Sequence, residues 1–352
     1  MQEALYGEEG FYTKGSGAGR QRDYMTSPEV GDLFGFVIAD YIDRWYDTIE
    51  TEEAIIIEAG CGPGSLASSI ARSNLSCASN IDYRLVDISP ANRETTENKL
   101  NSVSSQFSWS VHETIPNCDL PTLVIANELF DNLVFNIGHT NDVYKPFEHD
   151  KMNLYFADPA VSAHFGITSN IDRLANTDVP HDIENFRIPF HVGIGEWFEE
   201  LLQATNQVPD LSLLVFDYMK SVINMEDENW LRLYVNNQRV VGVDNVLNAL
   251  ENGARGDITT DVTLEDLYVI LDAEGFSKIK HVSQASWLLE NNIDIYRSAV
   301  GQETKSSYDQ LASLVQGDSG ELQGNSFNLE YDTLTDESGL GAFTVVSARR
   351  QI

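Results

Sequence analysis

The chain has 352 residues, 42% of them hydrophobic, and a formal net charge of −33. That size and apolar content suit one large domain with insertions, or two domains, and no run of about 18 apolar residues is present to span a membrane. With 55 acidic residues against 22 basic ones, the chain repels phosphate backbones, which removes nucleic acid from the substrates to consider first.

The acidic, polar start, MQEALYGEEGFYTKG, resembles neither a secretory signal nor a basic transit peptide, so a cytoplasmic location is expected. Residues 1–25 are rich in glycine and polar side chains and predict a leader able to fold over a ligand. Ser27-Pro28-Glu29 has the marks of a helix start: a capping hydroxyl, a proline at the first position, then a carboxylate. Over residues 30–46 apolar side chains recur at helical spacing (Leu33, Phe34, Val37, Ile38, Tyr41, Ile42, Trp45), predicting an amphipathic helix against the core.

Residues 54–66, AIIIEAGCGPGSL, read as a buried strand, a glycine turn and the start of a helix. The isoleucine run suits a parallel strand covered on both faces. Gly60, Gly62 and Gly64 let the backbone turn tightly and approach a ligand, and a helix over 65–71 points its amino end there. Residues 83–88 (YRLVDI) predict a second strand ending at Asp87, 23 residues past Gly64. There a carboxylate can accept hydrogen bonds from both hydroxyls of a ribose. A helix is expected over 90–101 and a short strand over 107–111, which would bring Trp109 or His112 beside an adenine ring; a core position is the alternative for Trp109.

A strand over 121–126 runs directly into Asn127-Glu128-Leu129-Phe130-Asp131. Ligands of open α/β sheets bind beyond the carboxyl ends of strands, and a helical turn here puts Glu128 and Asp131 on one face at i and i+3. The alternative is a capped turn in which Asp131 satisfies backbone amides. Residues 138–209 break the rhythm, with a hairpin from 143–147 and 152–156 and a helix over 195–205, and read as an insertion forming part of a substrate wall. A strand over 211–218 resumes the sheet with Asp217 at its end. An acidic loop (224–230), a loop (253–260) and a helix (264–273) follow. Segments 276–282 and 342–348 predict a closing antiparallel pair, and 302–327 is polar with one helical piece around 308–315. The plan is a lid and helix (1–50), a cofactor-binding half (51–137), an insertion (138–210) and a second half (211–352). Cys61, Cys77 and Cys118 show no metal-binding spacing and require no disulfide, and Cys61 suits a small space-filler.

The loop decides between cofactors. A dinucleotide fingerprint is GxGxxG, whereas here the glycines fall as GxGxG, with Glu58 two positions ahead of them. E-x-G-x-G-x-G is the first motif of class I methyltransferases that use S-adenosylmethionine, in which the acid handles the methionine amino group and the glycines admit the adenosyl part. No phosphate needs binding, which suits so acidic a chain; a nicotinamide dehydrogenase is the less favoured reading.

The segments ALYGEEGFYTKG, RDYMTSPEVGDLFG, IIEAGCGPGSL, VDISP, NELFDNL, VFDY and GDITTDVTLEDL follow in this order. Together they resemble the MidA-like family, which includes the mitochondrial complex I assembly-factor methyltransferase, from about Ala4 to near Ala348. The resemblance implies an α/β fold: a class I methyltransferase Rossmann-like sheet with an N-terminal helical addition and an inserted substrate-wall segment. It implies S-adenosyl-L-methionine as cofactor and, for the mitochondrial member, symmetric dimethylation of arginine on a respiratory complex I subunit, hence a protein partner bearing an arginine. Arg22, Cys61, Pro63, Asp87 and Val134 depart from the family pattern, and GDITTDVTLEDL lacks its usual His and Phe. On this reading Glu128 and Asp131 pair with the guanidinium and Asn127 orients cofactor or substrate. Glu58, Gly60, Gly62, Gly64, Asp87 and Trp109 hold the cofactor, Asp23, Thr26 and Glu29 close over it, and Asp217 and Asp257 shape the far wall. A non-catalytic assembly factor that keeps the cofactor fold is the competing expectation.

Overall fold

The computed structural model describes residues 26–148, 151–154, 176–177, 183–235, 238–298 and 320–351. Along the chain lie a helical turn (Ser27–Val30), α1 (Asp32–Tyr46), β1 (Ala54–Ala59), α2 (Ser65–Arg72), β2 (Ile81–Val86), α3 (Pro90–Asn101), β3 (Ser108–His112) and β4 (Thr122–Asn127). After a 3-10 turn (Phe130–Asn132) come β5 (Asn136–His139), β6 (Arg187–Phe190), α4 (Val192–Ala204), β7 (Asp210–Asp217) and β8 (Leu231–Val235). Next are β9 (Gln238–Val241), α5 (Val243–Glu251), β10 (Asp257–Thr260), α6 (Leu264–Ala273), β11 (Ser277–Ser283), α7 (Gln284–Glu290), α8 (Gly320–Thr335) and β12 (Thr344–Gln351).

Seven strands form one sheet in the order β11-β12-β7-β4-β1-β2-β3. β1 pairs in parallel with β2 and β4, and β4 in parallel with β7. The last strand, β12, runs antiparallel between β7 and β11. The isoleucine run explains the centre: all six residues of β1 are buried, because both faces of a parallel sheet are covered. Ile55, Ile57, Val124, Ala126 and Val215 face one layer, which includes Phe198 and Leu201 of α4. Ile56, Leu85, Ile125 and Phe216 face the other, where α1 lays down Leu33, Phe34, Val37 and Ile38. Each such side chain contributes roughly 1.5–3 kcal/mol on burial.

Several expectations change. Ser27 begins the helical turn instead of capping it, Thr26 makes no side-chain cap bond, and Gly31 separates the turn from α1. The carboxylate of Glu330 on α8 supplies the missing cap, accepting from the Leu33 amide at 3.0 Å. The helix assigned to the insertion is the crossover between β4 and β7 and belongs to the core, since Ile194, Phe198 and Leu201 pack under the sheet. The inserted segment leaves and returns through β5 and β6, paired with Ile137 opposite Pro189. Strands at Tyr144–Glu148 and Lys151–Leu154 pair as expected, while residues 155–156 of that hairpin lie outside the described residues. Part of the 253–260 loop is a strand: Ile258 pairs with Leu233 in a small sheet of β9, β8 and β10. The 224–230 loop begins inside a 3-10 turn, Val222–Met225. Residues 320–327 of the polar stretch belong to α8, whose apolar contacts among the described side chains are Phe327, Tyr331 and Leu334, a stripe too thin to stand out by periodicity. The helical piece around 308–315 lies outside the described residues. Among the described residues no helix is long and apolar enough to cross a membrane.

Candidate active site

Strand order reverses at β1, whose neighbours β2 and β4 continue the chain in opposite directions across the sheet, and ligands of open α/β sheets bind at such a point. A cavity of about 490 Å³ lies there, lined by the glycine loop, the ends of β1, β2 and β4, the Ser27–Val30 turn and the start of α4. That volume falls in the range of small-molecule and cofactor sites, roughly 300–1,000 Å³.

The glycine loop forms because Gly60, Gly62 and Gly64 all adopt positive φ, at 68°, 53° and 73°. A Cβ on Gly60 would meet Leu129 at 2.9 Å, whereas the space beside Gly62 is open. The Glu58 side chain is buried; the Tyr83 hydroxyl donates to its Oε2 at 2.8 Å. Burial pushes its carboxyl up to about 8, against the lowering effect of that hydroxyl. Asp87 also lines the cavity, but its oxygens already accept from the Gly62 amide (2.8 Å), the Ser89 amide (2.8 Å) and the Asn92 side chain (3.2 and 3.3 Å). A carboxylate has about four acceptor positions, so Asp87 holds the loop in shape, and a ribose would have to displace Asn92. Cys61 lines the cavity with its thiol pushed well up by burial and by Glu58, which makes it a poor nucleophile.

Asn127 ends β4, and its Nδ2 donates to Glu128 Oε1 at 3.3 Å. Its Oδ1 is buried without a hydrogen-bond partner. Glu128 follows with φ of 51°, a strained conformation for a residue with a Cβ. The strain throws its side chain into the cavity while its amide still donates to Phe216 O at 2.8 Å. A second donor, the Ser27 amide, reaches Oε1 at 3.3 Å. Burial and the neighbouring Asp217 push the Glu128 carboxyl up to about 8.

The shared helical face of Glu128 and Asp131 does not form, because the positive φ of Glu128 breaks the turn ahead of Phe130–Asn132. Asp131 is buried behind the cavity, held by Asn132 Nδ2 at 2.8 Å, with its carboxyl raised by burial, Asp217 and Glu128. Asp217 does not line the cavity either: it accepts from the amides of Phe130 (2.8 Å), Asp131 (3.3 Å) and Tyr218 (2.8 Å), fixing the turn that carries Glu128. Asp257 is fully buried in β10 on the same side. Close by, Arg232 stands over the Tyr218 ring at 4.8 Å and is paired with Asp261. Trp109 lies in register with Tyr83 and packs into the α1–α2 layer, away from the cavity. Its place by an adenine is therefore corrected, since the alternation of β3 turns it to the covered face; Glu113, Thr114 and Ile115, just after β3, line the cavity instead. Thr26 and Glu29 line it too, and Glu29 accepts from the Ser65 hydroxyl. Asp23 lies outside the described residues.

The helix expected over 195–205 as part of a substrate wall does wall the cavity, as α4, although the sequence singled out none of its residues. Trp197 lines the cavity and meets Phe130 edge-on at 5.1 Å, with Glu196 and Glu200 on the same helix. Gly193 allows this approach: its amide donates to Val134 O at 2.7 Å, and a Cβ there would meet Val134 N at 2.7 Å. The pattern GIGEW was the available clue. In all, Glu29, Glu58, Asp87, Glu113, Glu128, Glu196 and Glu200 line the cavity, and among the described lining residues there is no lysine or arginine. Such a site suits a cationic ligand free of phosphate, and the lone Asn127 acceptor offers a place for a bound amino group. The residues present thus fit S-adenosylmethionine, with Glu58 and the glycine loop to hold it.

These buried acids make stability fall as pH rises. Glu58 and Glu128 titrate near 8 and Asp217 near 7 in the folded protein, against about 4 when unfolded. The folded state therefore keeps protons that the unfolded state releases, so the contribution is full below about pH 4 and is lost as pH climbs through 7 to 8. Without ligand, Tm is expected to drop by roughly 5 °C or more between pH 5.5 and 8.5. Surface repulsion has the same sign but is screened at 0.5 M salt, so a slope abolished by salt would rule out the buried groups as its source.

Residues 37–282 match the family model described as "Putative S-adenosyl-L-methionine-dependent methyltransferase". The chain is 24% identical over 324 residues (84% of this chain, 71% of the relative) to the Xenopus tropicalis protein arginine methyltransferase NDUFAF7, mitochondrial. A shorter match, 32% over 97 residues, links 26% of the chain to 23% of the Danio rerio NDUFAF7 protein. Among solved structures, the fold is similar to a Burkholderia thailandensis COG1565 superfamily member and likely methyl transferase, bound to S-adenosyl-homocysteine. The TM-score is 0.65 at 17% identity, covering 99% of this chain and 86% of that one. With the family model spanning more than half of the sequence, the chain belongs to this family and is a class I methyltransferase that uses S-adenosyl-L-methionine.

Proposed function

We propose that the methyl group goes to a guanidinium nitrogen of an arginine in a protein partner. The observation that carries this reading is that every charged residue among the described lining of the cavity is acidic, with Glu128 pushed into it just after β4. The name of the Xenopus relative, a protein arginine methyltransferase, supports the same choice.

When bound, S-adenosylmethionine supplies a methyl group on a cationic sulfur. The chain's own residues then have three tasks. Glu58 and the glycine loop hold the cofactor, Trp197 and Leu133 limit water, and Glu128 receives the guanidinium. An arginine stays protonated at physiological pH, so its nitrogens are weak nucleophiles. A carboxylate paired with one side of the group aligns it and draws positive charge toward itself, leaving the other nitrogen free to attack. On methylation the attacking nitrogen would give up one proton, and Glu128, paired with the same guanidinium, would be the carboxylate to accept it. Asp217 holds the Glu128 turn through backbone amides, and Asp131 supports it from behind.

The test is incubation with methyl-labelled cofactor and arginine-rich protein fractions, followed by hydrolysis and mass spectrometry. Labelled methylarginine is expected, and by the family resemblance the symmetric dimethyl form. Label appearing only on lysine, carboxylate or small molecules would reject the proposal.

A further inference from the structure

Glu128 depends on a contact reaching it from the far end of the chain. Its Oε1 accepts from the backbone amide of Ser27 at 3.3 Å. The Ser27 hydroxyl in turn donates to Gln284 Oε1 at 3.0 Å, and Gln284 Nε2 donates to the Leu334 carbonyl of α8 at 3.2 Å. Ser27 and Gln284 are both completely buried, and the Gln284 backbone N–H donates to Phe343 O at 2.7 Å. An interior primary amide is costly unless its hydrogen bonds are satisfied, and an apolar side chain of the same size would serve packing alone. Here both ends of the amide are used, one on a main-chain carbonyl and the other on the residue whose N–H meets Glu128. The Ser27–Val30 turn has only four residues and no side-chain cap of its own, so its orientation has to be set from outside.

We propose that Gln284 is a positioning residue for the methyltransferase site: by gripping the Ser27 hydroxyl it aims the Ser27 amide at Glu128, fixing the direction and charge state of that carboxylate. The proposal rests on the role given to Glu128 above. The other ionisable groups acting on Glu128 are Asp217 at the end of β7, Tyr218 just after it and Asp131 from its own turn. Glu29 and Glu58 share its cavity, which holds no described lysine or arginine, and Arg232 lies beyond Asp131. Against these mainly acidic neighbours, the Ser27 amide and Asn127 are the donors that favour the anion. Weakening one of them must raise the pH at which Glu128 ionises.

Ser27→Ala and Gln284→Met remove the two sides of one hydrogen bond. Each is expected to lower kcat about tenfold, the usual reach of one such bond, with KM for the cofactor within about twofold. The acid limb of the kcat profile moves up by about half to one pH unit, and the double variant is no worse than the poorer single one. A direct reading comes from the ¹³C carboxyl resonance of Glu128, titrated in cofactor-free protein with labelled glutamate and assigned by its loss in Glu128→Gln. Its midpoint is expected to rise in both variants. An unchanged midpoint overturns the proposal whatever happens to rate or Tm, because a merely structural role would cost stability and leave the titration alone. Should Gln284→Met fail to fold, Ser27→Ala, which deletes one oxygen, decides the matter. Undiminished methyl transfer by Glu128→Gln would defeat the functional reading, and the titration would still judge the positioning.

Discussion

Glu128→Gln is expected to reduce methyl transfer to arginine by about 10²–10³-fold, while S-adenosylhomocysteine still binds within about threefold of wild type. The glutamine keeps the length and shape of the side chain, so the turn and the cavity survive. On the proposed function, what it loses is the charge that would pair with a guanidinium and the site that would take its proton. Because Glu128 combines a positive φ, a place on the cavity wall and a carboxyl raised to about 8, it has the attributes of a group tuned for proton transfer near neutral pH. Single-turnover rates with a saturating arginine peptide give the measurement. A variant that methylates at the wild-type rate would leave the chemistry without its central residue.

Glu58→Gln should weaken S-adenosylhomocysteine binding by about 30- to 100-fold at pH 8, the scale of a hydrogen bond to a charged group lost from a buried site. The pH dependence is more diagnostic. With its carboxyl raised to about 8 by burial, Glu58 is mostly protonated at pH 7 in the free protein. Holding a cationic amino group requires the anion, so binding releases close to one proton. Affinity then climbs by up to tenfold per pH unit until about pH 8. Calorimetry in buffers of different ionisation enthalpy counts that proton. In Glu58→Gln both the proton release and the slope should vanish. A variant that binds as tightly as wild type, with the same slope, would place the amino group elsewhere.

The parts of this molecule legible in the sequence are those governed by local patterns. The isoleucine run, the positive-φ glycines and the helical spacing of α1 each report a short-range constraint, and the central strands fall where the pattern puts them. The missed parts depend on distant partners. β10 is the polar DITT, with no alternation to mark it as a strand; it is defined by pairing with β8. α8 shows a thin apolar stripe, and its capping carboxylate matters only because Leu33, 297 residues away in sequence, needs a partner. Within the site, Glu58, Asn127 and Glu128 could be picked out because strand ends are where sheet topology exposes side chains. Asp131 was misplaced because the left-handed Glu128 redirected the turn that carries it, and Asp217 because its carboxylate is taken up by the backbone amides of that turn. Trp109 was misplaced by one step of strand alternation, and Trp197 stood on a helix assigned to an insertion.

The placing of β12 sets the order in which the protein can be made. This strand is synthesised after both of the strands it enters between, β7 and β11, and joins β7 along eight residues. Until it arrives β11 lacks the strand it pairs with among the described residues, and the helix bearing Gln284 lacks its anchor at Phe343. Folding that waits for such distant contacts is slow and leaves strand edges exposed. The sheet therefore closes only after β12 has been made, and a nascent chain halted before residue 343 would hold Glu128 and Ser27 while Gln284 still lacked its anchor at Phe343.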